Sequence, residues 1–102
     1  MCGRYVSAAK KSTISRQFDA SPADTYELAP DYNVAPSKKV YAVMNRHDER
    51  ELKVIRWGLI PSWAKDPKIG SRMNNARLET AAQKPSFRAA WKNRRAIIPA
   101  DG

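Results

Sequence analysis

A single cysteine, Cys2, serves the whole 102-residue chain, and it restricts how such a chain can hold itself together. One thiol cannot form an internal disulfide, and Cys2 with the only histidine, His47, supplies too few ligands for a zinc site. Stability must therefore come from a packed core and backbone hydrogen bonding within one domain. Hydrophobic residues make up 42% of the sequence, including three Trp, four Tyr and two Phe, which suits a modest globular core. No apolar run reaches membrane-spanning length and no charged-then-apolar leader opens the chain. A cytosolic or nucleoid-associated protein is expected.

The position of the cysteine matters as much as its number. Cys2 directly follows Met1, and a side chain this small normally permits removal of the initiator methionine. Removal would leave an α-amine and a thiol on adjacent carbons of one residue. Such a 1,2-aminothiol condenses with an aldehyde to an imine, and the thiol then closes a five-membered thiazolidine. Ordinary pKa values of about 8 for an α-amine and about 8.5 for a thiol leave useful fractions of both reactive at neutral pH. The plainer alternative is a small apolar residue near a frayed terminus.

Charge adds a second constraint. The net charge is +9, from 19 Lys and Arg against 10 Asp and Glu, which suits a polyanionic partner. Most of it falls between Lys65 and Arg95, where Lys65, Lys68, Arg72, Arg77, Lys84, Arg88, Lys92, Arg94 and Arg95 face only Asp66 and Glu79. Trp63, Phe87 and Trp91 lie among or beside these charges. Cations that follow phosphates and rings that stack on bases would suit a nucleic-acid groove. A solvated basic face over core aromatics has the same pattern.

Along the chain, Ser7 is placed to cap a short helix ending near Phe18, with Ile14 and Phe18 inward and Lys10, Lys11 and Arg16 in water. Residues 21–30 read as loop, and Asp31 to Ser37 as an irregular segment ended by Pro36. Val40 to Met44 and Leu52 to Trp57 are β-rich runs joined by the polar link Asn45 to Arg50, so His47 is expected in an exposed hairpin loop. Ala64 to Asn74 is loop-like in composition, and loops of this length in small domains are often functional. Asn75 to Ala82 suggests a helical turn stopped at Pro85. Ser86 then caps a helix whose Phe87, Ala90 and Trp91 make one apolar stripe. Ala96 to Pro99 reads as a buried strand.

Five of these segments together resemble the SRAP (SOS-response-associated peptidase) family, whose members look after abasic sites in single-stranded DNA. They are Cys2-Gly3-Arg4-Tyr5, Tyr32-Asn33-Val34-Ala35-Pro36, Trp57-Gly58-Leu59-Ile60-Pro61-Ser62-Trp63, Asn75-Ala76-Arg77-Leu78-Glu79-Thr80 and Pro99-Ala100-Asp101-Gly102. The resemblance runs along the whole chain and corresponds to roughly the N-terminal half of one family domain. It implies an α+β fold, mainly antiparallel strands with short peripheral helices, in incomplete form. Open sheet edges in such a half would favour dimerisation.

The resemblance also implies roles. Cys2, freed of Met1, corresponds to the residue that captures the ring-opened sugar aldehyde of an abasic site as a thiazolidine crosslink. Asn75 matches the asparagine beside that cysteine. Arg4 and Arg77 match arginines that hold phosphates near the lesion, a task that suits the guanidinium fork. Asn33 and Pro36 match a loop lining the DNA channel, and Trp63 would line it too. No metal or cofactor is implied. The glutamate and histidine that serve acid–base steps in the family lie beyond Gly102, and Glu79 is too early to replace the glutamate. Lyase and peptidase activities, which the family implies, are therefore left open. Two further readings remain: an N-terminal-cysteine peptidase or amidohydrolase, for which no dedicated base is apparent, and a non-catalytic single-strand binder.

Overall fold

The computed structural model describes residues 2–102; Met1, and with it the question of its removal, lies outside the described residues. Its centre is a β-hairpin of β4 (Lys39–Arg46) and β5 (Glu49–Arg56), paired antiparallel from Lys39↔Arg56 to Arg46↔Glu49. The hairpin is tighter than the polar composition of Asn45 to Arg50 suggests. Asn45 and Arg46 pair with Arg50 and Glu49, leaving only His47 and Asp48 to turn. Both have positive φ, 51° and 62°, the conformation whose twist matches that of the flanking strands. His47 is exposed at the tip, as expected.

Alternation along the hairpin assigns its faces. Tyr41 and Val43 lie opposite Val54 and Leu52, and this face packs under the helix α1 (Lys11–Phe18). Ile14, Ala20, Tyr41, Val43 and Leu52 form the buried cluster, with Ala9, Phe18, Leu28 and Val54 packed around it. Ile14 and Phe18 thus face inward, as their spacing predicts. Val40 and Ala42, on the opposite face of β4, are buried as well. Tyr41 keeps its hydroxyl satisfied by accepting from the Leu28 N–H at 2.7 Å.

Lys11 departs from expectation. It is 8% exposed rather than in water. Its Nζ donates to the carbonyls of Asp24 and Tyr26 at 2.6 and 2.8 Å and lies 3.5 Å from the Asp24 carboxylate. Asp24 also accepts from the N–H groups of Val54 and Tyr26. An ammonium is tolerated in such a place because every donor has an acceptor at hand. Residues 21–30, expected as loop, include the short strand β2 (Ser21–Pro22), which runs parallel to β5.

A second, two-stranded sheet pairs β1 (Tyr5–Ser7) antiparallel with β3 (Asp31–Val34). The helix therefore starts later than a Ser7 cap implies, after Lys10, and Ser7 is used in β1 instead. Asp31 to Val34 likewise is strand rather than the irregular segment its composition suggests. On its other side β1 meets the 101–102 segment: Val6 N–H donates to the Gly102 carbonyl and Asp101 N–H to the Val6 carbonyl. The Asp101 carboxylate accepts from the N–H groups of Ala8 and Ala9.

Beyond the hairpin, the 64–74 loop contains a 3-10 turn, Pro67–Arg72, started by Asp66 accepting from the Lys68 N–H. The second helix, α2 (Arg88–Asn93), follows Phe87; Phe87, Ala90 and Trp91 are only half-buried and lie outside the buried cluster, so the stripe covers the surface of the fold rather than entering its core. The strand expected at Ala96 to Pro99 shrinks to a single bridge, Ile97 with Val43. Ile97 and Ile98 are 57% and 40% exposed rather than buried, since the bridge sits at the outer edge of β4 and has no neighbour over it among the described residues. The architecture is α+β, with antiparallel and mixed sheets and short helices. None of the described helices is long and apolar enough to cross a membrane.

Candidate nucleic-acid and aldehyde site

Cys2 is exposed, yet its backbone is held on both sides by one side chain. The Asn75 carboxamide accepts from Cys2 N through Oδ1 at 3.1 Å and donates to the Cys2 carbonyl through Nδ2 at 2.8 Å. Asn74 Nδ2 also donates to that carbonyl at 3.4 Å. A primary amide suits this position because it carries both a donor and an acceptor. Among the described residues, the hydrogen bonds to Cys2 engage its backbone and leave the thiol open. Removal of Met1 would turn the held nitrogen into the α-amine.

The loop end that carries Asn74 and Asn75 is fixed by the strap Trp57-Gly58-Leu59. Trp57 Nε1 donates to the Asn74 carbonyl at 3.1 Å, and Leu59 N–H donates to the Met73 carbonyl at 3.0 Å. Gly58 has φ 121°, and a Cβ built there would collide with the Gly70 carbonyl oxygen and come within 2.8 Å of its carbon. Glycine is required for this approach. The Trp57 ring meets Tyr5 edge-on, with centroids 5.4 Å apart and planes at 73°. Burial, and secondarily the Asp31 carboxylate, push the Tyr5 phenol above its ordinary pKa.

The other residues expected at the site fall into separate groups. Arg4 precedes β1 and is exposed; its charge helps to hold the Asp31 carboxyl below the usual range. The larger causes of that lowering are the Asn33 N–H, which donates to Asp31 at 2.9 Å, and Lys38, whose Nζ lies 3.0 Å from it. Asn33 itself is exposed on β3, beside Val34, the partner of Tyr5, so β1–β3 pairing brings Asn33 near the start of β1, which Arg4 immediately precedes. Pro36 is half-buried in the turn after β3. Arg77 is exposed two positions past Asn75, and its carbonyl starts the turn by accepting from Thr80 and Ala81. Trp63 is 60% exposed, but no hydrogen bond or ring contact among the described residues ties it to the Cys2 clamp.

The basic stretch is a solvated surface. All nine of its Lys and Arg residues are exposed and none belongs to either ion pair found among the described residues. Trp91 has its face covered by Arg95, with the guanidinium carbon 4.2 Å from the ring centre, so Trp63 is the aromatic left with an open face in this region. No group of three or more His, Cys, Asp or Glu among the described residues could hold a metal ion.

Sequence reasoning assigns no role to Asn74, Trp57 or Asp101. Asn74 is signalled only by its adjacency to Asn75. Trp57 stands inside a recognised motif, but the direction of its N–H depends on the loop that comes to meet it. Asp101 accepts from Ala8 and Ala9, 93 and 92 positions earlier, a contact that no local pattern announces.

A family model described as SOS response associated peptidase (SRAP) matches residues 1–102. The chain is 47% identical over 104 residues to a Bacillus subtilis protein named abasic site processing protein YoaM, covering 99% of this chain and 45% of that one. Against the Escherichia coli protein named abasic site processing protein YedK the identity is 34% over 110 residues, covering 100% of this chain and 46% of that one. A solved structure from Bordetella bronchiseptica superposes with a TM-score of 0.71 at 30% identity, covering 98% of this chain and 48% of its own. The chain spans about half the length of the curated relatives it matches.

Proposed function

The chain belongs to the SOS response associated peptidase family, and from that premise we propose that it is an abasic-site processing protein that captures the lesion through Cys2. Its two similar relatives named above are both called abasic site processing proteins. We read residues 1–102, which span about half the length of those relatives, as the N-terminal half of one such domain.

The observation that carries the reading is the grip of Asn75 on both backbone groups of Cys2. With Met1 removed, the Cys2 nitrogen attacks the aldehyde carbon of the ring-opened sugar, and the carbonyl electron pair moves to oxygen. Loss of that oxygen as water gives the imine. Sγ then adds to the imine carbon, and the thiol proton passes to nitrogen. The sum is one thiazolidine and one water, with no oxidant or cofactor required. By accepting an N–H, Asn75 Oδ1 turns the nitrogen lone pair away from itself and toward an incoming carbon. The open thiol is free for the second bond.

Single-stranded DNA is the partner this surface suits. Arg4 and Arg77 supply guanidinium forks for phosphates, the exposed Trp63 a stacking face, and Asn33 with Pro36 a rim beside Arg4. The exposed Ile97 and Ile98 at the outer edge of β4 support self-association, which sedimentation at rising concentration would test. The central experiment is intact-protein mass spectrometry after incubation with abasic-site single-stranded DNA, beside Cys2→Ala. Loss of Met1 with a denaturation-resistant adduct that needs Cys2 is expected. An adduct that persists in Cys2→Ala would remove Cys2 as the nucleophile.

A further inference from the structure

One indole supports both sides of the Cys2 clamp. The edge-on contact of the Trp57 ring with Tyr5 steadies the segment that carries Cys2, three residues away. The N–H of the same ring holds the Asn74 carbonyl at 3.1 Å, and Asn74 and Asn75 are the residues that reach back to Cys2. Cys2 and Asn75 are 73 positions apart and have no shared element, so their relative placement depends on whatever touches both segments. From this juxtaposition we propose that Trp57 is a positioning residue for the aldehyde-capture step. The proposal rests on the function proposed above.

The physical argument concerns the loop rather than the thiol. Residues 64–74 contain a 3-10 turn with exposed charges and little burial, a kind of segment that samples several conformations when untethered. The bond to the Asn74 carbonyl holds the peptide unit that joins the two asparagines whose side chains matter. Losing it leaves the loop end held to the strap by the Leu59–Met73 bond alone and lets the Asn74–Asn75 peptide unit shift, and a displacement of the order of an ångström at a reacting group lowers rates steeply. Trp57 touches no reacting atom. Its effect passes through Asn74 and Asn75.

Two substitutions in the full chain test this. Trp57→Phe removes the donor and part of the ring. Replacing Trp57 with 3-benzothienylalanine keeps the bicyclic shape against Tyr5 and removes the N–H alone. Two readouts apply: the Asn75 side-chain amide resonances in the free protein, and the rate of adduct formation at saturating abasic-site single-stranded DNA. The expected result is an Asn75 amide pair that moves to free-solvent positions. The adduct rate should fall about tenfold or more, with DNA affinity within twofold of the parent and the bulk amide spectrum preserved. An Asn75 pair unchanged in the benzothienyl variant overturns the proposal, as does an unchanged adduct rate. If the parent protein itself forms no adduct, the proposed function falls. The Asn75 resonances then decide alone whether Trp57 holds the clamp.

Discussion

Asn75 engages both backbone groups of Cys2 with one carboxamide, accepting from the nitrogen at 3.1 Å and donating to the carbonyl at 2.8 Å. The two bonds fix the nitrogen's orientation, which is why a side chain with only one kind of hydrogen-bonding group should not replace it. Asn75→Ala is expected to slow adduct formation by about ten- to a hundredfold, while abasic-strand affinity stays within threefold. Asn75→Asp should be nearly as slow, because a carboxylate facing the Cys2 carbonyl repels it and donates nothing. Single-turnover kinetics at saturating DNA checks both, and an Asn75→Asp variant at parental speed would sink the orientation argument.

Gly58 should tolerate no side chain. Its φ of 121° disfavours an L-residue, and a Cβ would press on the Gly70 carbonyl. Gly58→Ala is expected to cost about 2–4 kcal/mol of stability, from backbone strain and overpacking together. Chemical denaturation measures this directly. Gly3, which has nothing within 4 Å of an added Cβ, provides the control and should accept Ala with little change in midpoint.

DNA binding should weaken steeply with salt. For a single strand, every phosphate that the protein ceases to neutralise reduces the slope of log affinity against log salt by about 0.7. Arg77→Ala and Arg4→Ala should each show a reduction near that size. Trp63→Ala should weaken binding by about 1–3 kcal/mol with the slope unchanged, since stacking displaces no counterion. Fluorescence anisotropy across a salt series separates the two behaviours. Identical slopes for all three variants would count against the assignment of charge to phosphates.

Acid should destabilise the fold from about pH 4 downward. The Val54 N–H, foremost, together with the Tyr26 N–H and Lys11 hold the Asp24 carboxyl below its ordinary value, and the Asn33 N–H with Lys38 does the same for Asp31. A carboxyl whose folded pKa is depressed contributes stability that is present above the unfolded value. That contribution fades as pH falls through the folded one. Thermal unfolding from pH 6 to pH 2 should show a falling Tm, and Asp24→Asn should flatten that fall from a lower starting point. A Tm independent of pH in this range would contradict the carboxylate bracing.

Much of this can be read from residue patterns, and the failures have common causes. The hairpin, the inward Ile14 and Phe18 and the exposed His47 follow from local periodicity, which the structure respects. Lys11 escapes such a reading because its acceptors come from residues 24 and 26, and no helical pattern includes them. Ile97 and Ile98 look like a core strand by composition, but burial depends on what lies across from them, and here only Val43 pairs with Ile97. At the site, the chemistry of Cys2 is legible from the residue itself, whereas its contact with Asn75 is implied only by the family resemblance. The Trp57 support is hidden, because an indole in a motif does not reveal which carbonyl its N–H will find.

The bonds that seat the N-terminal segment are among the most distant in sequence that the chain makes. Ala8 waits for the carboxylate of Asp101, 93 positions later, and Val6 for the backbone of residues 101 and 102. One edge of β1 can pair with β3 once residues 31–34 are present, whereas its other edge waits for the 101–102 segment, and contacts of such span form late in folding. Completion of the first strand is thus a late event set by topology, through one aspartate that accepts from Ala8 and Ala9.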